Sequence, residues 1–175
     1  MERYSVYQDI AARTGGDIYL GVVGPVRTGK STFIKRFVEL MLLPEIQNES
    51  FAKRAKDELP QSAAGRTIMT TEPKFVPEQA VTVSMEDGGE FRARLIDCVG
   101  YMVKGAMGQA EAGRPRMVKS PWFENEVAFD IAAETGTKKV ICEHSTVGVV
   151  MTTDGSISDL PRAAYEEAEQ RVIEQ

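Results

Sequence analysis

Residues 17–32 read DIYLGVVGPVRTGKST, and the fold follows from how this stretch is read. Gly24 is followed after four residues by Gly29-Lys30-Ser31, the spacing of a phosphate-binding loop. The apolar run Ile18, Tyr19, Leu20, Val22, Val23 is short, partly β-branched and bounded by Gly24, which predicts a buried strand. The glycines let backbone N–H groups turn inward around an anion. Lys30 is spaced to reach the outer phosphates of a nucleotide, and the Ser31 hydroxyl to ligate Mg²⁺. A helix opening at this point aims its positive dipole end at the same anion. Arg27, Thr28 and Thr32 complete the candidate nucleotide-binding set with Gly24, Gly29, Lys30 and Ser31. The bland alternative is a glycine-rich turn that merely joins two elements. A chance match would rarely carry both a strand before it and a helix after it.

Outward from this loop, the helix is visible at once. Phe33, Ile34, Phe37, Val38, Met41 and Leu42 recur at helical spacing, with Lys35, Arg36 and Glu39 off the stripe, and Pro44 stops the pattern. Residues 45–79 are polar and punctuated by Pro60, Gly65, Pro73 and Pro77, with a helical piece expected from Ser50 to Glu58. A connection this long is usually functional. It holds Thr70 and Thr71, placed where a switch protein closes a threonine over Mg²⁺ and the γ-phosphate. Thr70 is the first choice for that metal contact.

Two alternating runs, Ala80–Met85 and Phe91–Ile96, flank Gly88-Gly89 and predict a β-hairpin. The second ends in Asp97-Cys98-Val99-Gly100. An acidic residue closing an apolar strand is the expected partner of Mg²⁺ and its water, and the Gly100 amide is placed to meet the γ-phosphate. Loop, threonines, antiparallel hairpin and Asp-x-x-Gly in this order point to a P-loop switch domain. Metabolic kinases and helicase-like ATPases keep their core strands parallel. The candidate catalytic set is therefore Thr70, Thr71, Asp97, Gly100 and Arg27, and the candidate metal set Ser31, Thr70 and Asp97.

Residues 101–121 are rich in Gly, Pro and basic side chains. Beyond them a helix is expected from Val127 to Glu143, with Ile131, Val140 and Ile141 in the core. Val147–Thr152 reads as a central parallel strand. Ser158 or Asp159 is expected to cap a last helix with Pro161 near its first turn. A further short helix is expected over residues 4–13. His144, the single histidine, has no partner in the sequence pattern and reads as structural.

Composition narrows the function classes. The chain has 175 residues, 42% hydrophobic and 27% charged, enough for one globular domain with a core. A net charge of −5 argues against a general nucleic-acid binder. The basic clusters Lys53, Arg54, Lys56 and Arg114, Arg116, Lys119 read as solvated surface. Cys98 and Cys142 lack metal spacing and read as buried thiols rather than a disulfide. The first 16 residues lack the apolar core of a signal peptide, and no run approaches the roughly 18 apolar residues of a membrane span. The expected location is cytoplasmic, at most peripheral to a membrane.

Several stretches carry a resemblance. Residues 21–35 (GVVGPVRTGKSTFIK), 57–65 (DELPQSAAG), 67–77 (TIMTTEPKFVP), 96–101 (IDCVGY) and 143–155 (EHSTVGVVMTTDG) resemble the stage IV sporulation protein A family. The resemblance implies an α/β domain over residues 1–175, a P-loop NTPase of the translation-factor-type GTPase class. Its expected architecture is a three-layer sandwich with a mostly parallel sheet and one antiparallel hairpin strand. It implies ATP and Mg²⁺ as ligands, and hydrolysis that drives assembly into a homopolymer on the outer forespore membrane, the base of the spore coat. Implied partners are further copies of the chain, a small amphipathic membrane-anchoring protein and other coat proteins. The implied location is the mother-cell cytoplasm, peripheral to that membrane. Family members are much longer, and no Asn-Lys-x-Asp base-reading motif occurs here, so a domain lacking its last strands is expected.

The motifs leave a GTPase switch, and a coat module that binds nucleotide without turning it over, as other readings. Tyr101 follows Gly100, where many small GTPases place a water-orienting glutamine. Hydrolysis must then draw on the threonine loop, backbone, cations or a neighbouring protomer. Arg27, permanently charged, is either an arginine finger supplied in cis or a surface group facing solvent or a neighbour.

Overall fold

The computed structural model describes residues 14–60, 71–84, 89–106, 110–111 and 113–175. The expected helix over residues 4–13 and the preferred threonine, Thr70, lie outside them. At the centre is β1 (Asp17–Val23), hydrogen-bonded along both edges. On one side it pairs in parallel with β3 (Glu90–Asp97), which pairs antiparallel with β2 (Lys74–Ser84). On the other side it pairs in parallel with β8 (Val147–Val150). Two short antiparallel pairs stand apart from this sheet: β4 (Ala110–Glu111) with β5 (Arg114–Pro115), and β6 (Met117–Val118) with β7 (Val127–Ala128). The fold is α/β, and the described sheet is mostly parallel with one antiparallel strand, an arrangement compatible with a P-loop domain.

Strand alternation sorts the core into two halves. Val22, Ala93 and Leu95 face helix α1 (Lys30–Phe37) and the π-helical turn Val38–Leu42, where Ile34, Val38 and Leu42 are buried. Val23 and Ile96 face the other way, onto Val140, Tyr165, Ala168 and Val172. These belong to helix α3 (Phe129–Lys139) with its π-helical end Val140–His144, and to helix α4 (Glu166–Ile173). Helices on both faces are what a parallel sheet requires, since neither face of such strands tolerates water. Helix α2 (Glu49–Asp57) lies in the long connection before β2 and is capped by Asn48, whose side chain accepts from the Phe51 amide.

Several expectations need correction. The first hairpin arm begins at Lys74, six residues before the expected Ala80, and its register shifts between Val76 and Val81. Pro77 lies in that shift and cannot donate a ladder bond, which hides the strand from an alternation reading. Val147–Val150 lies at the edge of the described sheet, with Val147 and Val150 exposed, and is not central. In α3, Ile131 faces solvent while Phe129, Ala132, Ala133, Gly136 and Thr137 are buried. The last helix starts at Glu166, after a 3₁₀ turn at Arg162–Ala164. Ser158 does not cap it; its hydroxyl instead meets the Tyr165 hydroxyl at 2.6 Å. Cys98 is buried as expected, but Cys142 is exposed, and both are free thiols. His144, which reads as structural, is exposed and lines a cavity of about 210 Å³ with Phe75, Pro121 and Trp122.

Candidate functional site

The pairing of β1 with β3 in parallel brings two carboxyl ends together, with Val22 opposite Asp97. Loops that leave such neighbouring ends are where α/β proteins place ligands. Gly24 leaves β1 at φ 143°, and a Cβ there would run into the Met151 carbonyl of the strand β8 exit. The loop then turns through Arg27 at φ 61° and Gly29 at φ 86°, and α1 starts at Lys30. Left-handed backbone at two positions curls this loop. Arg27 is half-buried and pays for that conformation without being glycine.

Lys30 and Thr28 are buried, and both donate to the Pro25 carbonyl oxygen, Lys30 Nζ at 2.6 Å and Thr28 Oγ1 at 2.9 Å. Burial pulls the Lys30 ammonium below the usual lysine range, against the pull of Asp97 and Cys98, which favours its charge. Such a cation gains from an anion brought against it. Ser31 Oγ donates to Asp97 Oδ2 at 3.2 Å. Burial pushes the Asp97 carboxyl above the usual carboxylate range, offset in part by Lys30 and the Ser31 hydrogen bond. A half-buried hydroxyl and a desolvated carboxylate in contact suit Mg²⁺, which takes few protein oxygens and keeps water and phosphate oxygens for the rest. No cluster of three acidic, histidine or cysteine ligands occurs among the described residues. Thr32, on the first turn of α1, is exposed.

The Asp97-x-x-Gly100 turn is tied to the loop through backbone. Tyr101 N donates to Gly24 O at 3.2 Å and Val26 N to Tyr101 O at 2.8 Å. Gly100 has φ 95°, and a Cβ there would stand 2.6 Å from Lys30 Nζ. The Tyr101 ring is buried, with the Arg171 guanidinium 5.2 Å from its centroid, so the residue in the glutamine position is a packing strut. Thr71 is buried, with its carbonyl oxygen against Gly136 of α3.

The structure therefore gathers Gly24, Thr28, Gly29, Lys30, Ser31, Asp97 and Gly100 at one end of the sheet. Comparison with known proteins bears on the same chain. The family model described as "Stage IV sporulation protein A, ATPase domain" matches residues 1–175. The chain belongs to the stage IV sporulation protein A family. Relatives of that name are 63% identical over 175 residues in Bacillus subtilis (strain 168) and 62% over 173 in Bacillus anthracis. A third, in Clostridioides difficile (strain 630), is 53% identical over 171 residues. The matches cover 98–100% of this chain and 35–36% of each relative, so the chain spans about a third of their length. No solved structure matches.

Two residues of the site escape sequence reasoning. Lys74 opens β2 opposite Asp97 and favours its ionised form, yet sits in a stretch that reads as loop. Thr137 is fully buried in α3 and receives the Gly100 amide at 3.1 Å. A threonine inside a helix carries no periodic signal that would single it out.

Proposed function

We propose that residues 1–175 form a sporulation ATPase domain of the translation-factor GTPase class, whose turnover drives assembly with further copies of the chain. The convergence of Lys30, Ser31, Asp97 and Gly100 beside one glycine-rich loop carries this reading. The antiparallel β2 beside β3 supports the class, and the family's ATPase description supports the choice of ATP.

In this reading Lys30 binds the outer phosphates, releasing the Pro25 carbonyl, and the backbone amides from Arg27 to Ser31 hold the remaining oxygens. Ser31 and Asp97 hold Mg²⁺, with Thr70 and Thr71 closing from the connection before β2. When bound, Mg²⁺ neutralises charge that builds on the phosphate oxygens. Arg27 adds a second fixed charge, and Gly100 offers its amide to the terminal phosphate. Tyr101, locked in the core, does not orient water, so the attacking water depends on backbone, the threonines or a neighbouring copy. That dependence favours turnover in an assembled form over a solitary switch. The resemblance extends the proposal to a polymer at the outer forespore membrane, with a small amphipathic anchor and coat proteins as partners.

Turnover of ATP and of GTP, followed across protein concentration together with light scattering, tests the reading. ATP turnover per molecule that rises with concentration alongside scattering is expected. Preference for GTP without scattering favours a switch, and binding without turnover a coat module.

A further inference from the structure

Two successive residues of α3 touch both stretches that respond to nucleotide in the reading above. A Cβ on Gly136 would stand 3.0 Å from the Thr71 carbonyl oxygen and 2.8 Å from the Trp122 ring, so helix and threonine loop meet without a side chain between them. The next residue, Thr137, has no exposed surface. Its hydroxyl donates its one proton to Ala133 O at 2.8 Å, which leaves its lone pairs facing the Gly100 amide at 3.1 Å. Threonine is a mediocre helix former, and its back-bond to the preceding turn does nothing for the helix. Valine has the same shape without a hydroxyl to bury. The hydroxyl receives the Gly100 amide, and both groups also lie against the Cys98 thiol.

We propose that Thr137 is a positioning residue that competes with the terminal phosphate for the Gly100 amide, and thereby sets how strongly the site discriminates nucleoside triphosphate from diphosphate. The inference rests on the nucleotide-binding reading of the loop. Gly100 sits at φ 95°, a conformation that glycine adopts without side-chain strain. An amide bond to an anionic oxygen is stronger than one to a neutral hydroxyl, so the phosphate wins the amide. The lost Thr137 bond is subtracted from the gain. A diphosphate never reaches Gly100 and leaves that bond intact. Because Gly136 and Thr137 are consecutive, the exchange at Gly100 is felt by the helix turn that Thr71 and Trp122 pack against.

The test compares dissociation constants of ADP and of the ATP analogue with an imido bridge between its outer phosphates, both with Mg²⁺. Thr137→Val and Thr137→Ala both remove the hydroxyl, and Thr137→Ser keeps it. In Val and Ala the ratio of ADP to analogue constants is expected to rise about two- to tenfold, the range one neutral hydrogen bond spans. Thr137→Ser should stay at the wild-type ratio. A purely structural threonine would weaken both nucleotides together and leave the ratio alone. An unchanged or smaller ratio in Val and Ala, or a Ser variant that moves with them, overturns the proposal. Lys30→Ala serves as the second arm. If it weakens both nucleotides while the Thr137 ratio stays fixed, only the Thr137 role fails; if it weakens neither, the loop reading fails and takes this inference with it.

Discussion

Replacing Gly100 by alanine tests whether the Asp-x-x-Gly turn and the phosphate loop act as one body. The added Cβ would lie 2.6 Å from Lys30 Nζ, 3.1 Å from Lys30 Cε, and well inside contact distance of the Gly24 carbonyl oxygen. Lysine can swing aside; the Gly24 backbone cannot, because its neighbours on both sides are held in the sheet and in the Tyr101 pairing. Alanine at φ 95° adds strain of about 1–3 kcal/mol. Overpacking against backbone adds about 1–3 kcal/mol more. Alanine also narrows the unfolded ensemble, a gain of only about 0.4–1 kcal/mol. Strain wins, by about 1–5 kcal/mol. For a chain of this size that lowers the melting temperature by several degrees, up to about 20 °C. The same shift pushes Lys30 off the loop axis, so ATP affinity should fall at least tenfold where the variant is still folded. Gly148→Ala is the control, since a Cβ there meets nothing within 4 Å. Its stability should change by no more than about 0.5–1 kcal/mol. Calorimetric melting and ATP titration read both quantities. A Gly100→Ala protein that melts and binds like Gly148→Ala would refute the coupling.

Two other perturbations separate binding from chemistry. Asp97→Asn should keep ATP binding within about tenfold while turnover falls further, since metal placement matters most in the transition state. Its stability also carries a pH signature. The Asp97 carboxyl titrates above 3.8 in the folded chain, so the folded state binds the extra proton and wild-type stability drops as pH rises from 3.8 through the folded value. Denaturant unfolding of Asp97→Asn should lack that drop, and parallel wild-type and variant curves would contradict the desolvated carboxylate. If Arg27 is the built-in cation, wild-type turnover is indifferent to exchanging K⁺ for Na⁺ at constant ionic strength, and Arg27→Asn loses most of its rate. A wild-type rate that collapses in Na⁺ would rule that role out.

How legible all this was in the sequence differs from element to element. The loop, its strand and helix, and the second hairpin arm each combine a period with a breaker at a fixed offset, and local chemistry decides them. The start of β2 was illegible because Pro77 interrupts its alternation, and the ladder to β3 resumes only at Val81. The apolar run at Val147–Val150 announces a strand but not its place, because hydrophobicity reports what a strand is able to bury and not which neighbours it has. The contact between Thr137 and Gly100 spans 37 positions and arises from the way α3 packs back on the sheet. Such a contact is tertiary, with no trace in local composition. Tyr101 stands out in the sequence only by its departure from a glutamine pattern, whereas its role as a buried strut depends on the packing of α4 against it.

In a nucleotide-binding loop of this geometry, Lys30 meets the phosphates of the bound nucleotide. Titration calorimetry of Mg²⁺-ATP into the wild-type chain and into Lys30→Ala measures this most directly. Losing a charge-assisted contact worth roughly 1.5–3 kcal/mol should weaken binding by about ten- to hundredfold. Equal affinities in the two proteins would mean that the glycine loop does not hold the phosphates.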